Sequence, residues 1–222
     1  MKWGLAEYSS PVSMGGPAIS LRDLDQLFER STTDLGGILP IRKTSVGIWV
    51  PTPVSVIASG VDALEELGLL GASSTAGPII DAGTGDGRVP AVLATLDPTR
   101  AVCGIEADAT FYAHAAANWR ELERRGLTGE RVMFIEGDYC DVRTYESQGI
   151  DLRRVCMFLN YPDGHEKQLA RFVAEHAGDA TTLCLLTHDD SIGVDDLTRR
   201  ERRLVRVDHE QDWFLFVYQG VR

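Results

Sequence analysis

The sequence predicts an α/β fold: a doubly wound, mostly parallel sheet of seven strands, with helices on both faces and an antiparallel C-terminal hairpin strand. Three observations predict it. Between residues 54 and 190, five apolar runs alternate with patterns typical of amphipathic helices. Two more strand-like runs, joined by a short polar turn, close the chain. The first apolar run leads directly into a loop with three glycines, as in folds that hold a nucleotide-like ligand.

Each element follows from a local pattern. Helices are predicted where apolar residues recur at helical spacing, over residues 54–71, from residue 88, and over 108–126 and 165–178. Strands are predicted for the apolar runs at 78–83, 101–107, 131–138, 154–163, 181–190, 202–210 and 212–220. Gly71 and Gly126 are interpreted as helix stops, and Asp108 as a helix N-cap.

Residues 1–49 differ in composition from residues 50–222, and we predict two units with that boundary. Ser20 is a plausible N-cap for one short amphipathic helix over residues 20–30, which we expect to pack on the main domain. The rest of this segment is predicted to be loop and extended chain that covers the substrate. The aromatic residues that such a cover would use are Trp3, Tyr8 and Trp49, and its candidate hinges are Gly15–Gly16 and Gly36–Gly37.

Composition excludes several classes of function. The 222 residues suit one α/β domain with an appendage, and 22 basic against 33 acidic residues give a net charge of −11. This charge argues against nucleic acid as the main partner, because phosphate binding needs a clustered basic face. The basic run from Thr198 to Arg206 is interpreted as a solvated strand edge, with a functional patch as the alternative. The four cysteines lack CxxC spacing, so neither disulfides nor a metal site are predicted.

The sequence shows no signal-peptide pattern, and no apolar run approaches 18 residues. We therefore expect no membrane segment and a cytoplasmic location.

Polar residues mark the ends of the first four predicted strands. Because ligands of open parallel sheets bind at the carboxyl ends of the strands, these positions form a candidate site. Asp81 and the glycines follow the first strand, and Glu106 ends the second, where a carboxylate can accept hydrogen bonds from a ribose diol. Asp138 ends the third strand and could accept a bond from an adenine amino group, while Asn160 opens the segment NYPD after the fourth.

The glycine spacing and the nearby charges indicate which cofactor binds. A dinucleotide fingerprint reads G-x-G-x-x-G, whereas Gly83, Gly85 and Gly87 give G-x-G-x-G. Asp81 and Asp86 would repel a pyrophosphate but would suit a cofactor that carries an ammonium and a sulfonium. S-adenosylmethionine has both groups, together with a ribose and an adenine.

Four segments then resemble motifs I to IV of the class I S-adenosylmethionine-dependent methyltransferases: IIDAGTGDGR, VCGIEAD, VMFIEGD and CMFLNYPD. The resemblance spans about residues 51–218. The nearest subgroup is the Dot-type and ATP-synthase c-subunit lysine methyltransferases, to which VPTP at 50–53, the loop at 81–88 and THDD at 187–190 are similar. The cofactor residues that the resemblance implies, with their neighbours, are Pro51, Thr52, Asp81, Gly83, Thr84, Gly85, Glu106, Ala107, Asp138, Tyr139 and Asn160.

The expected activity is transfer of a methyl group from S-adenosyl-L-methionine to an O or N nucleophile of a small molecule or a protein side chain, lysine included, with S-adenosyl-L-homocysteine as product. Catalysis of this displacement depends largely on positioning. Tyr161, Asp163 and His188 are the candidates for a base. The alternatives are a nicotinamide-dependent oxidoreductase and a non-catalytic, methyltransferase-like cofactor-binding subunit. NYPD also resembles the (D/N)PPY loop of enzymes that methylate amino groups of nucleic acids, but the second proline is missing.

Overall fold

A computed structural model of the chain describes residues 19–36, 42–44, 47–71, 77–98, 100–127, 131–205 and 212–220. Its helices are α1 (Leu21–Gly36), α2 (Val54–Glu66), α3 (Arg88–Leu96), α4 (Ala109–Arg124), α5 (Val142–Glu146) and α6 (Glu166–His176). Its strands are β1 (Arg42–Thr44), β2 (Gly47–Trp49), β3 (Ile79–Ala82), β4 (Val102–Glu106), β5 (Val132–Glu136), β6 (Met157–Asn160), β7 (Thr182–Thr187), β8 (Thr198–Val205) and β9 (Trp213–Gln219).

Seven strands form the main sheet, in the order β5-β4-β3-β6-β7-β9-β8. The first five of these run parallel to one another, and β9 pairs antiparallel with both β7 and β8. The predicted fold class is thereby confirmed. Strand β3 lies between β4 and β6, so the direction in which the strands are added reverses beside it, and this switch point is where such sheets bind ligands.

Two apolar layers cover the two faces of the sheet. Successive residues of a strand point to opposite faces, so Ile79 packs with Leu64 of α2 and Val92 of α3, whereas Ile80 packs with Phe172 of α6 on the other side. All residues of β3 and β4 are buried, as expected for central parallel strands covered on both faces. The carboxyl ends of these strands are thus fixed by the best-packed part of the domain.

Helix α1 belongs to the packed body of the protein. Ser20 and Asp23 cap each other's backbone and side-chain groups at its start, which agrees with the predicted N-cap. The helix is longer than the predicted 20–30, because Leu24, Phe28 and Leu35 continue one buried face to its last turn. This face contacts α2, α3 and α4.

Helix α2 ends earlier than predicted. Gly68, with φ of +71°, donates to the carbonyl of Glu65, and Leu69 donates to that of Leu64. This pair of bonds closes the helix in a Schellman motif, so Gly68 is the stop and the assignment to Gly71 was wrong. The stop at Gly126 and the N-cap at Asp108 are both present as predicted.

The last hairpin also starts earlier than its pattern suggested. Strand β8 begins at Thr198, whereas the prediction began at residue 202, so the described part of the basic run lies on the edge strand of the sheet. The guanidinium of Arg202 lies 4.5 Å from the centre of the Phe214 ring. Residues 206–211, which hold the predicted end of that strand and its turn, lie outside the described residues.

The short antiparallel hairpin of β1 and β2, called hairpin β1–β2 below, was predicted only as loop and extended chain. Trp3, Tyr8, Gly15, Gly16 and Gly37 of the predicted cover lie outside the described residues. Among the helices that the structure describes, none has the length and apolar content to cross a bilayer.

A buried ion pair joins four segments next to the glycine loop. The Arg88 guanidinium donates to both carboxylate oxygens of Asp86, at 2.9 and 2.7 Å, and the two side chains are 8% and 1% exposed. It also donates to the Thr52 carbonyl before α2 and to the Thr32 hydroxyl of α1, at 3.0 and 2.8 Å. The charge of Asp86 is therefore balanced by Arg88, whereas Asp81, the other acid predicted to suit a cationic cofactor, has no such ion pair among the described residues.

We expect Arg88→Met to lower the free energy of unfolding by about 3–5 kcal/mol, because it leaves the Asp86 carboxylate buried without a counter-charge. Denaturant unfolding measures this loss. The double variant Asp86→Asn with Arg88→Met should regain part of the stability. Arg143→Met, which opens an exposed pair with Asp141, is the matched control and should leave the midpoint unchanged. A loss below about 1 kcal/mol for Arg88→Met would contradict this account of the pair.

Candidate active site

A cavity of about 340 Å³ lies at the carboxyl ends of the parallel strands, under hairpin β1–β2. Its wall includes most of the residues that the sequence singled out: Pro51, Thr52, Asp81, Gly83, Thr84, Glu106, Ala107, Asp138, Tyr139, Tyr161 and Asp163. Three predicted residues, Gly85, Asn160 and His188, lie beside the cavity and not in its wall. Trp49, Phe111, His165 and Gln168 also line it, although the sequence analysis assigned them no place in the cofactor or base sets.

The glycine loop between β3 and α3 requires glycine at alternate positions. Gly83, Gly85 and Gly87 have φ values of +78°, +58° and +85°, in the left-handed region that costs other residues about 1–2 kcal/mol. Their spacing therefore follows from the backbone path.

The amide groups of this loop are already bonded within the protein. Gly83 and Thr84 donate to the carbonyl of Ile105, at 3.0 and 2.9 Å, and Gly87 donates to the Thr84 carbonyl at 3.0 Å. Gly85 donates to a carboxylate oxygen of Glu106 at 2.8 Å. A pyrophosphate site needs backbone amides that point at the ligand, and these four do not supply them.

Glu106 is held by backbone amides at the end of β4. Its Oε2 accepts from Gly85 and its Oε1 accepts from the Asp108 amide at 2.9 Å. Burial raises the pKa of this carboxyl, and the amide bonds oppose that rise. Each carboxylate oxygen has a second acceptor site, so Glu106 can still accept bonds from a diol in the cavity.

Asp81 presents a carboxylate oxygen with no partner. The side chain is buried at the end of β3, and its Oδ2 accepts no hydrogen bond from any described residue. Burial raises the pKa of Asp81 to about 7, with smaller contributions from the charges of Glu106 and Asp86, while the Thr84 hydroxyl acts in the opposite direction. A buried carboxylate oxygen is unfavourable unless a donor or cation binds it, so this oxygen is a candidate contact for a ligand.

Asp163, which also lines the cavity, is oriented by two donors. The Tyr139 hydroxyl donates to its Oδ2 at 2.8 Å and the His165 amide donates to its Oδ1 at 3.0 Å. The His165 imidazole Nδ1 lies 3.5 Å from the same Oδ1. Burial and the neighbouring Asp163 raise the pKa of Tyr139, so its phenol stays protonated.

Tyr161 connects the cavity to His188. The Tyr161 hydroxyl oxygen lies 2.7 Å from His188 Nδ1, and the indole of Trp213 packs 5.8 Å from the centre of each of these two rings. Tyr161 lines the cavity, whereas His188 is exposed on its outer side. Burial raises the pKa of Tyr161 to about 12. His188 can therefore reach a ligand in the cavity only through Tyr161.

Asn160, the last residue of β6, is hydrogen-bonded to the end of β3. Its amide donates to the carbonyl of Ala82 at 2.8 Å, while its buried Oδ1 has no partner among the described residues. Asp138, by contrast, is exposed in the wall, and its Oδ1 accepts from the Cys140 amide at 2.7 Å. No group of three or more His, Cys, Asp or Glu side chains within the described ranges could hold a metal ion.

Hairpin β1–β2 crosses the cavity and rests on the glycine loop. A β-carbon on Gly85 would lie only 2.5 Å from Nε1 of Trp49, whose ring packs 4.9 Å from that of Phe111. At the other end of β2, a β-carbon on Gly47 would lie 3.3 Å from the Asp163 carbonyl oxygen. The close approach at Gly85, which the sequence analysis assigned to a cofactor, is thus made by Trp49.

Solved structures with this fold include several methyltransferases. An RNA methyltransferase from Salinibacter ruber, in complex with S-adenosyl-L-homocysteine, is 21% identical with a TM-score of 0.53, over 78% of this chain and 95% of that one. A predicted O-methyltransferase from Agrobacterium tumefaciens is 18% identical with a TM-score of 0.54, over 76% and 81%. TrmN from Thermus thermophilus is 17% identical with a TM-score of 0.52 over 78% of this chain, which spans only 55% of TrmN.

At these identities the likeness shows the fold, which is the Rossmann-like α/β fold of the class I S-adenosylmethionine-dependent methyltransferases. Neither a family model nor a curated protein matches the sequence.

Gly85→Ala tests the contact between the glycine loop and hairpin β1–β2. We expect a loss of stability larger than the roughly 1–2 kcal/mol of a left-handed alanine, because the new methyl group must also displace Trp49. Trp49→Ala should remove the contribution that comes from displacing the indole ring. A double-mutant cycle between Gly85 and Trp49 should therefore give a coupling energy of about 0.5–3 kcal/mol.

Gly149→Ala is the matched control for this cycle. Gly149 has φ of +71°, but nothing lies within 4 Å of its would-be β-carbon, so this variant carries the backbone penalty alone. Its loss of stability should be independent of Trp49. Coupling of equal size for Gly85 and Gly149 would disprove the packing of Trp49 on the loop.

Proposed function

We propose that this protein is an S-adenosylmethionine-dependent methyltransferase that methylates an O or N nucleophile of a small molecule or a protein side chain. The observation that carries the proposal is the buried Oδ2 of Asp81, which has no partner among the described residues and lies beside a glycine loop in which the amides of Gly83, Thr84, Gly85 and Gly87 are bonded within the protein. Such a site favours the binding of a cation, and those four amides do not donate hydrogen bonds to a phosphate group. That the Salinibacter ruber structure of the same fold holds S-adenosyl-L-homocysteine supports the choice of cofactor.

The residues in the cavity fit that cofactor group by group. Asp81 would bind the ammonium, Glu106 the ribose diol, and Asp138 the adenine amino group, with Pro51, Thr52, Gly83, Thr84, Ala107 and Tyr139 as the surrounding wall. Gly85 and Asn160 would act from outside the wall, by shaping the glycine loop and the end of β3. When bound, the cofactor supplies a methyl carbon that its sulfonium has activated.

The charge of the wall disfavours the oxidoreductase alternative. Asp81, Glu106, Asp138 and Asp163 line the cavity, and Arg88, the one arginine among the described residues of its wall, is already bonded to Asp86, Thr52 and Thr32. A dinucleotide would bring two further negative charges into this acidic wall, which would repel them. Membership of the lysine-methylating subgroup stays a prediction, supported by the place of Pro51 and Thr52 of VPTP in the wall.

A proton path favours catalysis over a purely binding subunit. We assign Tyr161 the task of receiving the proton that an acceptor loses, because its hydroxyl lines the cavity and lies 2.7 Å from His188 Nδ1. His188 is exposed and can exchange that proton with water. Asp163 faces the same space and would orient the acceptor.

Calorimetric titration with S-adenosyl-L-homocysteine and with NADH tests the proposed function. We expect the first to bind and the second to give no heat of binding. Asp81→Asn should weaken S-adenosyl-L-homocysteine by about 1.5–3 kcal/mol, the usual strength of a hydrogen bond to a charged group. Asp62→Asn, an exposed acid of α2, is the control and should bind like the wild type. Binding of NADH without binding of S-adenosyl-L-homocysteine would contradict the proposed function.

The same titration has a predictable pH dependence. Only the ionised Asp81 attracts an ammonium, and its pKa of about 7 in the free protein means that acid protonates it. Affinity should therefore fall as the pH is lowered from 7.5 to 5.5, approaching about tenfold per unit. Asp81→Asn should remove this dependence. An identical pH profile in that variant would assign the effect to another group.

Tyr161→Phe tests the proton path. With labelled S-adenosylmethionine and an extract of the source cell, we expect the initial rate of labelling to drop about 100-fold or more, the usual effect of losing a general acid or base. Affinity for S-adenosyl-L-homocysteine should be unchanged, which separates chemistry from binding. Tyr112→Phe on α4 is the control. A rate equal to that of the wild type would remove Tyr161 from the mechanism.

A further inference from the structure

Part of the cavity wall is not assigned to the cofactor: Tyr161, Asp163 and His165, called the acceptor end here. It is contiguous with the site assigned to the cofactor, since Oδ2 of Asp163 lies 3.6 Å from where a β-carbon on Gly83 would stand. A group that reaches from the glycine loop toward the acceptor end therefore passes this carboxylate.

The Asp163 carboxylate is fixed in place but keeps acceptor capacity. Its side chain is 16% exposed, and the Tyr139 hydroxyl and the His165 amide each donate to one of its oxygens, with the His165 imidazole Nδ1 3.5 Å from Oδ1. An ionised carboxylate has about four acceptor positions. The remaining acceptor positions are available to a donor in the cavity. Because the Asp163 side chain is already held in place, it loses no further conformational entropy when that donor binds.

Cations that could receive an anionic acceptor are scarce in the described wall. Arg88 makes four hydrogen bonds, to Asp86, to the Thr52 carbonyl and to Thr32. His165 is exposed and lies beside Asp163 itself. An acceptor that carries a carboxylate or phosphate at its reacting end would meet Asp163, and the described residues of the wall include no lysine and no arginine other than Arg88.

We infer that the methyl acceptor is an amine that enters as an ammonium ion, and that Asp163 is the residue that recognises it. This inference rests on the proposed function and narrows it from an O or N nucleophile to a cationic nitrogen. The ring of Tyr161 in the wall of the acceptor end adds a surface that also favours cations.

The reaction balances with the groups present. The bound ammonium first gives one proton to water through Tyr161 and His188, which frees the nitrogen lone pair. That lone pair forms the new N–C bond while the C–S bond breaks, and the electrons of the C–S bond pass to sulfur, which becomes a neutral thioether. The product is a methylated ammonium, which Asp163 continues to balance in charge.

Two ligands that differ only at the transferred position test the inference. S-adenosyl-L-homocysteine has a bare sulfur there, whereas sinefungin carries a primary amine where the methyl group would be. Calorimetry should show that the wild type binds sinefungin at least about tenfold more tightly, because a charge-assisted bond to Asp163 is gained. Asp163→Asn should reduce that preference to about twofold or less while S-adenosyl-L-homocysteine binds as before, and Asp62→Asn should keep the preference.

The outcomes separate the two proposals. If the wild type binds both ligands equally, or if Asp163→Asn keeps the full preference, the amine assignment is overturned and the methyltransferase assignment stands. If neither ligand binds, the proposed function fails and the inference fails with it. If Asp163→Asn does not fold, the wild-type comparison still decides, and Tyr139→Phe, which removes the donor that orients Asp163, should shrink the preference.

Discussion

The ion pair between Asp86 and Arg88 is the interaction on which the site depends. Because both side chains are buried, the pair is stable only while each charge stays matched and hydrogen-bonded. Arg88 meets that demand by also bonding Thr52 and Thr32, and these bonds hold α1 and the segment before α2 against the glycine loop. One guanidinium thus locates the loop, the cavity wall beside it and the N-terminal helix relative to one another.

Asp81 and Asp86 show that the bonding partners of a carboxylate determine whether it remains available to a ligand. Asp81 and Asp86 lie in the same short loop region and are both buried, yet Asp86 is neutralised by Arg88 and Asp81 Oδ2 has no partner. Only Asp81 is left to attract a cation. At the acceptor end, Asp163 is oriented by the Tyr139 hydroxyl and the His165 amide, and each of its oxygens keeps a further acceptor position for a ligand.

Sequence reasoning succeeded where local rules operate. The carboxyl ends of parallel strands meet at one edge, so Asp81, Glu106, Asp138 and Tyr161 could be placed together without coordinates, and they do line one cavity. It failed where two glycines compete for one helix end: Gly68 and Gly71 both have positive φ, and only the bonds from Gly68 and Leu69 identify the stop. It also named His188 as a candidate base, and the structure places this residue outside the cavity wall, with its Nδ1 2.7 Å from the Tyr161 hydroxyl oxygen.

By itself, the sequence determined the succession of the main strands and helices along the chain, the glycine positions and the acids at the strand ends, because periodicity and backbone conformation act between near neighbours. Tertiary structure alone decided which of those polar groups are bonded within the protein and which remain available to a ligand. Arg88 reaches Thr32 across 56 positions, and Trp49 packs on Gly85 through a hairpin that no local pattern specified. Such contacts depend on which side chains the packed sheet and helices bring together, and local sequence patterns cannot predict them.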